Sequence, residues 1–387
     1  MILSFRIHYP ALLFTEYMWD SNIFERVIHC YPAFLCMKRG IMKLYKTICI
    51  SILFILCVFS AAAGAEASDR LQIVATIFPE YDWVRTILGK NPADAELTLL
   101  LDDGVDLHSY QPTVEDMLKI TNCDLFIYVG GESDEWVEDA LRNAANKNMV
   151  VLNLLDMLGD AVKEEEVVEG MQEEDHDHRH DEDDHDEEDE HHDDEDDHDE
   201  EHHHDEDEAE YDEHVWLSLR NASVLCGGIA DALCSLDPEN VDYYRKNTAE
   251  YQEKLAKLDD AYQKAVSEAS LHTVLFGDRF PFRYLTDDYG LDYYAAFVGC
   301  SAETEASFET IIFLTKKVDE LSLHTVLTIE GRDHRIAKTI VENTASKDQQ
   351  ILTMDSMQGE TAQDIAAGVT YISVMQLNLE VLRDALK

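Results

Sequence analysis

Histidines and carboxylates crowd into one stretch of this chain, residues 172–214. It holds 28 carboxylates, 11 histidines and a single arginine, with no aliphatic side chain larger than Ala209. Imidazole nitrogen suits Zn²⁺, Cu²⁺ and Ni²⁺, and carboxylate oxygen adds charge. Spacings such as His176-x-His178-x-His180, and the run His202-His203-His204, let one stretch offer many loose metal sites. The plainer alternative is an acidic, solubilising insert in which histidine merely interrupts the charge. So polar a stretch buries too little apolar surface to offset the entropy of ordering. The expectation is a disordered loop at 172–213 that holds no tight site of its own.

Three other segments place metal-capable residues beyond strand ends, where open α/β sheets bind ligands. GVDLHSYQP at 104–112 carries His108 in a turn before a helix. DEHVWL at 212–217 carries His214 where the acidic stretch returns to the fold. TIEGRDH at 328–334 puts Glu330 at the end of a buried strand, followed by Asp333 and His334. Each has an ordinary reading as well. A turn histidine is usually a surface polar group, and a strand-end glutamate often caps a helix or pairs with a cation.

Strands are expected at 71–76, 95–101, 124–129 and 149–154. Helices fall between them at 81–88, 113–121 and 135–146. That alternation predicts a parallel sheet with crossover helices. After the acidic stretch, 217–236 reads as helix. Asp237-Pro238 then starts a new helix that runs to about 269, a rod of roughly 45 Å. The second half repeats the first, with strands at 273–276, 292–297, 325–329 and 350–354 and a single closing helix over 362–385. The fold class is α/β: two β/α lobes with mainly parallel sheets, joined by one long rigid helix. The lobes span 66–236 and 270–387, with the linking helix at 237–269.

The formal net charge is −51. Binding phosphate needs clustered Lys and Arg, so nucleic acid is excluded as a partner and a cationic ligand fits. Residues 42–65 carry Lys43 and Lys46, then an apolar run too short to span a bilayer, then Ala63-Gly64-Ala65. That pattern is a secretory signal peptide, and residues 1–41 read as an upstream over-extension. Four of the eight cysteines follow it: Cys123, Cys226, Cys234 and Cys300. No C-x-x-C pair occurs among them, and Cys123 and Cys226 lie in apolar runs that predict plain burial.

Taken in order, these segments resemble the substrate-binding subunits of zinc or manganese ABC importers. VATIFPEYD at 74–82 is similar to that family's opening strand and turn. VDLHSYQP at 105–112 is similar to its D-P-H-S-Y-x-P segment, with Leu107 where proline is usual. DLFIYVGGESDEW at 124–136 resembles the following strand and loop. DEHVWLS at 212–218 resembles the segment with its second histidine. CSAETEAS at 300–307 resembles S-x-x-x-E-P-S, with Ala306 replacing proline. The likeness covers residues 70–387 and includes a histidine-rich insert at the family's usual place.

The resemblance implies a two-lobed fold, His108 and His214 as metal ligands, and a third histidine after the first strand of the second lobe. Here that region reads VLFGDRFPFRY, with Arg279 at the family's position, and arginine cannot ligate. Asp278 is the nearest carboxylate and becomes the expected third ligand, although it can instead pair with Arg279 or Arg283. Glu330 is the expected fourth, with Asp333 and His334 in reserve. The implied cargo is Zn²⁺, with Mn²⁺ possible. The implied partner is an ABC permease, and the implied setting is periplasmic or cell-surface, with the protein a monomer. A surface metal buffer or adhesin is one competing class. A zinc hydrolase is another, but the chain has no H-E-x-x-H and no G-x-S-x-G.

Overall fold

The computed structural model describes residues 70–90, 95–172, 210–301, 305–331 and 333–387. The expected leader, and the acidic stretch from 173 to 209, lie outside the described residues. Short aliphatic and β-branched runs form strands β1 (Gln72–Ala75), β2 (Glu96–Leu99), β3 (Leu125–Tyr128) and β4 (Val150–Asn153). All pair in parallel, in the order β2-β1-β3-β4. Parallel neighbours need crossovers, and helices Phe78–Leu88, Val114–Asn122 and Trp136–Arg142 supply them.

The C-terminal sheet repeats this plan. It comprises β5 (Thr273–Phe280), β6 (Asp292–Val298), β7 (Thr325–Thr328) and β8 (Gln350–Thr353). Its order, β6-β5-β7-β8, is again parallel throughout. In each sheet the first strand lies between the second and third. The loops after adjacent strands therefore diverge and open a crevice at the C-terminal strand ends.

Helix Val241–Ser267 serves both lobes. Its 27 residues give a rod of about 40 Å. Tyr244, Thr248, Tyr251, Leu255, Leu258, Tyr262 and Val266 recur every three or four residues and form its buried stripe. Asn247 Nδ2 donates to the Ile87 carbonyl at 2.8 Å in the first lobe. Tyr262 Oη donates to the Met375 carbonyl at 2.6 Å on the closing helix. One apolar core runs from Ile73 through this helix to Leu386, and a smaller one packs Leu275, Phe297, Leu314 and Ile340. Leu275 and Phe276 belong to different cores, as the two-residue period of a strand requires.

Two expectations change. The closing helix is two helices, Ala362–Ala367 and Tyr371–Ala385. Gly368 takes φ 98°, a left-handed conformation that ends the first, and Thr370 caps the second. Strand β5 does not stop at Phe276. It runs on to Phe280, with a register shift between Phe276 and Arg279 that contains Asp278. Among the described residues no helix is long and apolar enough to cross a membrane.

Glu80, in the first turn of the helix Phe78–Leu88, makes a testable contribution to stability by reaching back to the residues just after β1. Its Oε2 accepts from Thr76 N at 2.8 Å, Thr76 Oγ1 at 3.1 Å and Ile77 N at 3.3 Å. Burial, reinforced by Asp134, raises its pKa from 4.5 to about 8. The unfolded chain therefore gives up this proton at lower pH than the folded one. The associated stability is complete below the unfolded pKa and is lost as pH rises through about 8. At about 1.4 kcal/mol per unit of separation, the loss amounts to a few kcal/mol. Denaturant melts across this pH range should show wild type weakening and Glu80→Gln staying flatter. Parallel curves for the two proteins would refute the assignment.

Candidate metal centre

His108 comes from the 3-10 turn Leu107–Ser109 that follows β2. Asp106 caps this turn, accepting from His108 N at 3.0 Å. Arg279 of β5 forms an ion pair with Asp106 and donates to the Ser301 carbonyl at 3.2 Å. One guanidinium thus ties the His108 turn of the first lobe to the loop after β6 in the second. Burial pushes the Asp106 pKa up, but Arg279 and His108 outweigh it and leave it below the usual value.

His214 sits in a segment whose residues 212–217 are all buried. Asp212 N donates to the Lys163 carbonyl at 2.9 Å, and Glu165 N to the Glu210 carbonyl at 2.8 Å. Tyr284 Oη donates to the Asp212 carbonyl at 2.8 Å. Trp216 Nε1 donates to the Ser356 carbonyl at 2.8 Å. Contacts from both lobes thus fix the segment, and His214 is 0 % exposed.

The two imidazoles face each other with Nε2 atoms 3.2 Å apart. Two nitrogens bound to one tetrahedral zinc at 2.0–2.1 Å would lie about 3.3 Å apart. The far side of each ring is engaged by oxygen. His108 Nδ1 lies 2.8 Å from Ser133 Oγ and 3.4 Å from Glu213 Oε2. His214 Nδ1 lies 2.9 Å from Asp212 Oδ1. Such outer partners orient a ring and leave Nε2 as the donor to a metal. Burial, and then the neighbouring His214, push the His108 pKa down to about 3. That keeps the imidazole neutral, the form a metal needs.

Cys300 completes the group. The ligand atoms of His108, His214 and Cys300 all lie within 4.8 Å of one another, the metal-capable trio found among the described residues. Its loop approaches closely because residue 299 is glycine. A Cβ there would stand 2.9 Å from His214 Cε1 and 3.0 Å from the Phe280 carbonyl oxygen. Cys300 N donates to Glu165 Oε1 at 3.1 Å. Burial, then Glu165, Glu213 and Asp212, raise the thiol pKa well above its ordinary value. Gln358 also approaches His214 at the nitrogen that faces His108, Nε2 to Nε2 3.3 Å, and its buried Oε1 has no partner among the described residues.

Asp278 and Glu330 do not join this group. Both line a cavity of about 420 Å³ together with His108, Arg279, Asp333 and His334. Asp278 Oδ1 accepts from Arg279 N at 3.0 Å, and burial raises its pKa. Glu330 accepts from Ser356 N at 2.7 Å, Gln358 N at 3.2 Å and Ser356 Oγ. Its carboxylate therefore holds the loop that carries Gln358. A second cavity, of about 230 Å³, reaches His108 and Cys300 past Glu165, Glu210, Tyr211 and Glu213. It opens where the acidic stretch re-enters the fold.

Sequence reasoning singled out neither Cys300 nor Gln358. The available signal was position: Cys300 follows the end of β6 as His108 follows the end of β2, and a glycine precedes it.

A family model described as zinc-uptake complex component A, periplasmic, matches residues 73–385. The chain belongs to this family. Zinc-binding protein AdcA of Streptococcus pyogenes is 27 % identical over 351 residues, covering 90 % of this chain and 61 % of that protein. The chain thus spans about 61 % of the length of such streptococcal relatives. High-affinity zinc uptake system protein ZnuA of Bacillus subtilis is 29 % identical over 332 residues, covering 85 % of this chain and 92 % of that protein. The Zn(II)-bound ZnuA-like domain of Streptococcus pneumoniae AdcA superposes with a TM-score of 0.60 at 26 % identity. That likeness covers 82 % of this family member and 99 % of the domain.

Proposed function

We propose that this protein is an extracytoplasmic zinc-binding component that captures Zn²⁺ in the cleft between its lobes and delivers it to an ABC permease. The observation that carries the reading is the pair of buried imidazoles, Nε2 to Nε2 3.2 Å, each braced by an oxygen on Nδ1. Two preset nitrogen donors favour zinc over manganese, which lies lowest in the affinity order and prefers oxygen. Relatives named for zinc binding and zinc uptake support the same cargo. His108 and His214 hold the ion in this reading.

The acidic, histidine-rich stretch raises the local zinc concentration. Its re-entry residues Glu210 and Tyr211 line the smaller cavity with His108 and Cys300, so ions leaving it arrive beside the cleft. Transport is tested in zinc-starved cells by uptake of radioactive zinc. Removing the gene should abolish high-affinity uptake, wild type should restore it, and His214→Ala should not. Unchanged uptake without the gene would overturn the transport role and favour a surface buffer.

A further inference from the structure

The family pattern leaves this centre short of a donor, because Arg279 occupies the position of the third histidine. Arg279 is committed elsewhere, to Asp106 and the Ser301 carbonyl. That ties the loop after β6 against the His108 turn, and Gly299 lets the same loop press on the His214 ring. We propose that Cys300 is the third ligand, making the centre a mixed imidazole–thiolate site for soft and borderline divalent cations. The proposal rests on the zinc-capture reading and goes beyond it in naming a donor.

The geometry supports sulfur over the carboxylates. The sulfur lies within 4.8 Å of a ring nitrogen of each histidine, whereas Asp278 and Glu330 stand outside the group and accept backbone hydrogen bonds. The histidine pair is an independent sign of a metal, so the cysteine does not stand alone. On binding, the S–H bond breaks, a sulfur–metal bond forms and the proton goes to solvent. Zinc–sulfur bonds of about 2.3 Å are longer than zinc–nitrogen bonds, which shortens the inward approach that sulfur must make. Thiolate also selects Zn²⁺ and Cd²⁺ against Mn²⁺, which prefers oxygen donors.

Cobalt(II) substitution tests this directly in the full chain, because sulfur ligation gives an intense near-ultraviolet charge-transfer band. The acidic stretch contains no cysteine and cannot produce that band. The expected result is a band at one equivalent of cobalt that disappears in Cys300→Ser and persists in Cys123→Ser, Cys226→Ser and Cys234→Ser. Zinc affinity should fall roughly tenfold or more in Cys300→Ser, at least the loss a second-shell partner causes. Cys300→His should keep tight zinc binding without the band, which separates ligation from folding. Tetrahedral cobalt spectra with no sulfur band, or a band surviving Cys300→Ser, would overturn the thiolate ligand while leaving the imidazole pair intact. A spectrum unaltered by His108→Ala combined with His214→Ala would instead overturn the zinc-capture reading itself.

Discussion

Loss of tight zinc binding is the expected result of His214→Ala, and nearly the same of His108→Ala. Each removes one of two preset nitrogens in a buried centre. The effect should exceed the roughly 10–100-fold that losing a second-shell partner costs. Asp212→Asn, which alters the side chain that contacts His214 Nδ1 and the His214 backbone N, should fall within that smaller range. Neither alanine variant should unfold without metal, because each lobe has its own sheet and a continuous apolar core ties the lobes through the long helix. Calorimetric titration checks this, with circular dichroism as the folding control. Wild-type affinity in His214→Ala would reduce that histidine to a packing residue.

The second large effect concerns the acidic stretch. Deleting residues 173–209 and closing the gap with a short flexible linker should leave a folded protein with a single tight site. Its flanks are anchored independently. Gln172 N donates to the Ala296 carbonyl at 3.0 Å, and Glu164 bridges Tyr211 in antiparallel fashion. An insert that leaves and re-enters between such anchors can be shortened at small entropic cost. Zinc stoichiometry should drop from many to one. Free zinc at about 100 times Kd should still stabilise the shortened protein by about 2.7 kcal/mol, on the order of 5 °C in Tm. Disappearance of the tight site on deletion would move the principal site into the acidic stretch.

Much of this was legible in the chain. Alternating strand and helix patterns reported two parallel lobes, because local periodicity reflects which face of each element is buried. The VDLHSYQP and DEHVWL segments pointed to His108 and His214, since one lies just past a recognisable strand and the other just ahead of a recognisable helix. The proposed thiolate donor, Cys300, was hidden because its nearness to the histidines depends on distances across the fold. Whether Asp278 or Cys300 approaches the histidines depends on the extension of β5, the Arg279–Asp106 ion pair and the missing Cβ at Gly299. None of these leaves a periodic trace. Glu330 was visible as a strand-end carboxylate, but its hydrogen bonds to Ser356 and Gln358 come from a loop more than twenty residues away. The closing helix was read too long because its one break rests on a single left-handed residue, Gly368.

Anomalous diffraction at the zinc absorption edge, from crystals of the zinc-loaded protein lacking residues 173–209, tests the central claim most directly. The expected result is one strong peak at about 2.0–2.1 Å from Nε2 of both His108 and His214. A peak among Asp278, Glu330 and Asp333, away from His214, would contradict the account, as would no ordered peak at all.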